Sequence, residues 1–400
     1  MSQTLTLIPG LPNDVAGMIL SFIPYAFHGR LKPTSKSWRI FFSSKTLILL
    51  RKKSRFSHLL CVFPQDPSVS SPYLFDPKSL AWCPLPPMPC NPHVYGLCNF
   101  SSVGVDCCLY VLGGSLFDTR SFPMDRPCSS NSVWRYDFLR GQWEALSPML
   151  SARGSFACVA NKGKIVVAGG GSRHTLFGAA GSRMSSVEMY DIGKDEWVGL
   201  DRLPSYRAGC VGFLGGSGEE KEFWVMGGYG ESRTVLGVFP VDEYYRDAVV
   251  MEMKNGGGIG SQWRELGDMW KEGERRRLGR IAVIDGQGWD TPGIFMLDMG
   301  DILRYDMSSN RWWKETTVPR KASDEFSISF VALDGELHIL GLQSGFESTE
   351  SRRPRQNKRS STLLVQIYDP RKNTWRSLHT KPPFNHPLDL KTAVMCTIQL

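Results

Sequence analysis

No apolar run in this chain approaches the roughly 18 to 20 residues needed to cross a bilayer. The opening residues, MSQTLTLIPG, lack the basic start, apolar core and small-residue cleavage site of a secretory leader. These absences exclude a helical membrane span and lead us to expect a soluble chain, cytoplasmic or nuclear, with no membrane partner. Cys-x-x-Cys pairs are also missing. The ten cysteines, at 61, 83, 90, 98, 107, 108, 128, 158, 210 and 396, therefore give neither a zinc nor a disulfide framework. Cys158 and Cys210 sit in apolar segments, where a reduced thiol packs as a small hydrophobe. Histidine is scarce, with seven scattered residues that propose no metal cluster. Charge of one sign does not dominate: a net +8 over 400 residues favours acidic partners only mildly, and no nucleic acid is expected.

What is present is glycine, proline and tryptophan, at 40, 25 and 12 residues, with 42% hydrophobic content. That describes a folded, turn-rich, β-rich chain. It repeats. "YLFDPKSLAW" (73–82), "WRYDFLRGQW" (134–143), "EMYDIGKDEW" (188–197), "LRYDMSSNRW" (303–312) and "QIYDPRKNTW" (366–375) each place a tryptophan six residues after an aspartate. A looser copy runs from "EYYRDAVVMEM" through a glycine-rich insertion to Trp263. Upstream of most copies lies a short apolar run ending in glycine, such as "CCLYVLGG", "GKIVVAGG" and "EFWVMGG", whose Val, Ile, Leu and aromatic content argues for strands. The aspartate and its polar followers predict a hairpin turn, with the aromatics facing a neighbouring sheet. Glycine ends the inner strand because another backbone or ring passes too close for a Cβ.

This pattern resembles the kelch family of β-propellers over residues 54 to 400, at a period near the roughly 50 residues of a kelch repeat. The resemblance implies a mainly β fold: a six-bladed propeller whose first blade is completed by the final strand, 391 to 400, leaving no open sheet edge. Gly113, Gly114, Tyr136, Trp143, Gly169, Gly170, Tyr190, Trp197, Gly227, Gly228, Tyr305, Trp312, Tyr368 and Trp375 then build the ring and carry no chemistry. Enzymatic relatives leave no trace here. The Glu-x-x-x-Asp-x-x-x-His pattern of iron-dependent kelch specifier proteins stops at Glu243 and Asp247, because Met251 stands where the histidine belongs.

Residues 1 to 53 follow another rhythm. Asn13-Asp14 reads as a helix cap, and Val15, Met18, Ile19 and Phe22 fall at i, i+3, i+4 and i+7. Pro24 and Pro33 bound a second short helical segment, and "SKSWRIFF" begins a third. About 45 residues of short helices cannot make a stable core alone, so a partner is expected. The segment resembles an F-box, a small all-α module that docks on the Skp-type adaptor of cullin-RING ubiquitin ligases. By that resemblance Leu11, Pro12, Val15, Ile19, Leu20, Ile23 and Trp38 face the adaptor or hold the helices that do. His28-Gly29, Pro33 and Thr34 depart from the family's usual residues.

An F-box followed by one kelch propeller resembles plant F-box/kelch-repeat proteins. The resemblance implies a non-catalytic receptor, with no cofactor and no metal, that holds a target protein near the charged ubiquitin-conjugating enzyme. The alternative is a ligase-independent kelch scaffold, such as a cytoskeleton-binding protein. Loops joining second to third strands are long, at 115–132, 171–186 and 342–362, and share a rim with the inter-blade segments that carry Arg153, Arg207, Arg276 and Arg277. That rim is the candidate target face. Its arginines suggest an acidic or phosphorylated target, and "RRPRQNKR" (352–359) reads alternatively as a nuclear-localisation-like run.

Overall fold

A computed structural model describes residues 6–54, 57–64, 71–89, 95–118, 128–171, 182–216, 221–235, 239–253, 259–270, 274, 278–284, 291–319, 328–344, 361–383, 390 and 393–400. A small α region comes first: α1 (Asn13–Ser21), α2 (Tyr25–Leu31), α3 (Lys36–Phe41) and α4 (Lys45–Lys53). The fourth helix was not foreseen in the sequence reading. Six four-stranded antiparallel sheets follow among the described residues, of the kind that kelch repeats form. In the first sheet, Val394–Gln399 lies antiparallel to His58–Phe63, in register from His58 opposite Gln399 to Phe63 opposite Val394.

The Asp-to-Trp spacing has a local cause. Asp137, Asp191 and Asp369 each accept, through Oδ1, the backbone N–H groups two and three residues on, which fixes the turn. The fourth residue after the aspartate is left-handed: Leu80, Gly141, Asp195, Asn310 and Asn373 have φ between 51° and 74°. Four loop residues then return the chain so that Trp143, Trp197, Trp312 and Trp375 stand directly opposite Tyr136, Tyr190, Tyr305 and Tyr368. Their ring centroids are 5.0–5.1 Å apart. Three indoles also reach backwards. The Nε1–H of Trp143 donates to Pro86 O at 2.9 Å, that of Trp197 to Ser147 O at 2.9 Å, and that of Trp263 to Asp201 O at 3.1 Å, always in the segment leaving the preceding sheet.

Hydrophobic clusters lie between consecutive sheets, so no sheet owns its core. Tyr190 and Trp197 of the third sheet pack on Tyr110, Leu112 and Val133 of the second. Leu363, Val365 and Ile367 of the sixth pack on Leu60, Val62 and Phe75 of the first. Residues from the innermost strand of all six sheets, among them Ser102, Val159, Phe213, Ala282, Val331 and Thr397, line one cavity of about 470 Å³. The glycine pairs end second strands in the second, third and fourth sheets. In the fifth, Gly300 instead sits in a Met299-Gly300 turn with open space around it, and Gly341 of the sixth lies inside the strand Glu336–Ser344.

Trp197 is 9% exposed. Trp197→Ala is expected to cost about 3 to 5 kcal/mol in urea unfolding, as a large buried aromatic truncation, and a loss below about 1 kcal/mol would contradict burial between sheets.

Candidate functional site

The helical region divides its apolar residues between two surfaces. Leu20 joins Phe41, Phe42 and Leu47 in a small core, and Gly17 lets Phe41 approach closely, since a Cβ there would stand 3.3 Å from the ring. The opposite side of α1 is exposed. Leu11, Val15, Met18, Ile19 and Phe22 are 38–51% exposed, an apolar stripe of a kind that marks an interaction surface. Pro12 is also exposed, while Ile23 and Trp38 are half-buried. Trp38 supports the stripe from behind, its Nε1–H donating to Leu7 O at 2.7 Å. The reading of Asn13-Asp14 as a cap needs correction. Pro12 occupies the cap position, and Asn13 Oδ1 instead accepts from Leu7 N–H at 2.9 Å. Ser35 and Ser44 cap α3 and α4 through their hydroxyls, and the Ser44 cap ahead of Leu47 and Ile48 was the available sign of α4.

His28 is buried at 2% exposure beneath this module, between Tyr25 and Phe42, with Nε2 at 3.0 Å from Ile23 O. Burial, then the nearby Arg51 guanidinium and Lys32, pull its pKa down to about 3.

Two arginines expected to offer themselves to a target do something else. Arg153 is 0% exposed and Arg207 2%. The Arg153 guanidinium donates to Gly169 O and Ser186 O, both at 2.9 Å, and forms an ion pair with the buried Glu188. Arg207 donates to Gly227 O at 3.3 Å, pairs with both oxygens of Asp247 at 2.9 Å, and lies over the Tyr245 ring at 4.3 Å. Their own carbonyls accept from the sheet before: Arg153 O from Gly114 N–H at 2.8 Å, and Arg207 O from Gly170 N–H at 2.7 Å. Each arginine thus joins two successive sheets. The double glycines follow from this crossing, since a Cβ on Gly169 would lie 2.6 Å from Arg207 O. Arg153 and Arg207 are therefore not free anion-binding groups. Arg276, Arg277 and the run 352–359 lie outside the described residues.

Strand direction separates two rims. In each sheet the first-to-second and third-to-fourth connections share one side, and the second-to-third connections share the other with the inter-sheet segments. The helices sit on the former side. Tyr25 of α2 meets Phe138, in the Asp-to-Trp hairpin of the second sheet, edge-on at 6.0 Å. The opposite rim carries extra structure: a three-stranded sheet of Tyr95–Cys98, Ser115–Asp118 and Cys128–Ser129, the last two within the stretch 115–132 expected to be loop, and a ribbon of Tyr229–Val235 with Phe239–Tyr244. Among the described residues no group of three or more His, Cys, Asp or Glu side chains is placed to hold a metal, and no helix is long and apolar enough to cross a membrane.

Repeated sheets stitched by Tyr–Trp hairpins and glycine pairs, behind a helical module with an exposed apolar stripe, define a kelch-repeat protein with an N-terminal docking module. The Kelch motif model matches residues 96–150 and 152–203, the second and third sheets. The chain is 58% identical to F-box/kelch-repeat protein OR23 of Arabidopsis thaliana over all of this chain and 93% of that one. It is 34% identical to F-box/kelch-repeat protein SKIP30 of the same plant, over 52% of this chain and 58% of the other. The chain belongs to the F-box/kelch-repeat family, whose members serve as substrate receptors of Skp–cullin–F-box ubiquitin ligases.

Two outcomes are expected. The unfolded chain protonates His28 near pH 6.5 and the folded chain not until about 3, so the unfolded state binds more protons in that window. Stability falls as pH drops from 6.5, and urea midpoints at pH 7 and 5 should differ less in His28→Leu than in wild type. Arg153→Ala leaves Glu188 buried without its partner and should cost about 3 to 5 kcal/mol in the same assay, whereas a surface arginine would cost almost nothing.

Proposed function

We propose that this chain is the target-recognition subunit of a Skp–cullin–F-box ubiquitin ligase, working in the cytoplasm or nucleus. Residues 1–53 form the F-box and 54–400 a six-bladed propeller. The observation that carries the docking half is the α1 stripe. Leu11, Val15, Met18 and Ile19 belong to no hydrophobic cluster among the described residues, while Leu20, one position from Ile19, is buried. Left alone in water, such a stripe keeps roughly 25 cal/mol per Å² of hydrophobic free energy unrealised. A Skp-type adaptor is the occupant that the family membership supports. Ring closure is supported by the pairing of Val394–Gln399 with His58–Phe63, by the core between sixth and first sheets, and by the cavity that all six inner strands line.

The target is assigned to the rim away from the helices, where the added three-stranded sheet and ribbon give surface relief to a rigid support. With the adaptor on one side and the target on the other, this chain contributes proximity, and bond chemistry belongs to the ligase core. The preference for an acidic or phosphorylated target loses its basis in Arg153 and Arg207.

Affinity purification of the intact chain beside one lacking residues 1–53 tests this reading. The intact chain should recover adaptor and cullin and the truncated one neither. Ile19→Asp should weaken adaptor binding by about tenfold or more without changing the unfolding midpoint. Failure of the intact chain to recover an adaptor would favour a ligase-independent scaffold.

A further inference from the structure

Arg51 ranks with Arg153 and Arg207 among the largest fully buried side chains. It lies in α4, yet its hydrogen bonds leave that helix in two directions. Nη1 donates to Ser21 O at 3.0 Å and Ile23 O at 2.6 Å, where α1 ends, and Nε donates to Leu400 O at 2.9 Å, just beyond the strand Val394–Gln399. Leu400 N–H in turn donates to Ser57 O at 2.8 Å, which fixes the same corner beside His58–Phe63. Tyr25 of α2, half-buried, packs against the core that holds Phe138, Ile398 and Leu400.

The last carbonyls of a helix lack intrahelical donors and sit at the negative end of its dipole, so a guanidinium there both satisfies and attracts them. Arg51 does this for α1. The helices' own core is small, with Leu20, Phe41, Phe42 and Leu47 buried and Leu7, Ile8, Ile23, Leu31, Trp38 and Leu50 packed half-buried against them, a modest core for a free-standing unit. Arg51 is thus a direct link between the end of α1 and the residue that follows the C-terminal strand, beside the Tyr25–Phe138 contact.

We propose that the adaptor-docking face is organised only when Val394–Gln399 is seated beside His58–Phe63, with Arg51 as the positioning residue that joins the two events. Residues 394–400 are synthesised some 340 positions after the F-box, so an unfinished or opened chain presents a poorly ordered stripe and is not loaded onto the ligase. This inference rests on the adaptor-docking reading and adds a dependence that the reading does not require.

The test measures the affinity of a purified plant Skp-type adaptor for the full-length wild type and for Arg51→Met, Arg51→Lys and Leu400→Pro. Arg51→Met keeps the volume and loses the donors, and Leu400→Pro disturbs the same corner from the sheet side, removing the N–H that bonds Ser57 O and altering the packing against Tyr25. Both should bind about tenfold or more weakly, with faster amide exchange in α1; Arg51→Met should leave the unfolding midpoint of the sheets unchanged, and Leu400→Pro is compared at temperatures where its sheets remain folded. Arg51→Lys, which can still reach one carbonyl, should recover part of the affinity. A merely structural role for Arg51 would lower the midpoint and leave the folded fraction binding as before, and that result overturns the proposal. So does wild-type affinity in both Arg51→Met and Leu400→Pro. Absence of adaptor binding by the wild type defeats the receptor reading itself, and the coupling with it.

Discussion

Three buried guanidinium groups hold parts of this molecule that are far apart in sequence. A buried cation is tolerable only when its donors are satisfied, and the planar fork of arginine satisfies several acceptors at once where a lysine ammonium would act as a point charge. Arg153 and Arg207 use that fork to clasp the end of the next sheet's second strand while their backbone carbonyls hold the sheet before. Arg51 clasps the end of α1 and the residue that follows the last strand. Remove one of these crossings and two elements lose a bond that ties one directly to the other.

The repeat's other residues make sense as accommodations to such crossings. Sheets that bury neither face alone must share their cores, and the hydrophobic clusters do lie between sheets, including the pair made by the sixth and the first. A shared core needs a shared register. The tryptophan N–H supplies it on one side by bonding to the segment leaving the previous sheet, and the inter-sheet arginine supplies it on the other. Glycine appears where a backbone passes over a strand end, and it is absent from that role in the fifth and sixth sheets.

Much of this was legible in the sequence. The aspartate-to-tryptophan spacing, the apolar runs and the glycine pairs are local signals with local causes, and each corresponds to an observed hairpin or strand end. Arg153 and Arg207 misled because charge in a loop-like segment reads as exposed, and nothing nearby in sequence announces Glu188 or Asp247 as partners. Their acids lie 35 and 40 residues further on, brought close only by sheet packing. The extra strands on the far rim were invisible for a similar reason, since Tyr95–Cys98 pairs with Ser115–Asp118 across an intervening hairpin of the second sheet. On α1 the periodicity correctly found one apolar stripe, but periodicity alone does not say whether a stripe faces the core or a partner.

Geometry shows that the stripe is exposed and not part of a core, and this shapes how the proposed receptor works. Leu20 turns inward while Val15, Met18, Ile19 and Phe22 turn out, and the inward side is fastened to the sheets through Arg51 and Tyr25. A docking module tethered only by a linker would sample many orientations, diluting the effective concentration that tethering provides. One whose helix ends are bonded to the sheet that carries the final strand samples far fewer. The helices occupy one rim and the elaborated surface the other, so a target held there lies at a defined distance from the adaptor. For a receptor that contributes proximity, the buried bonds of Arg51 thus bear on rate as well as on stability.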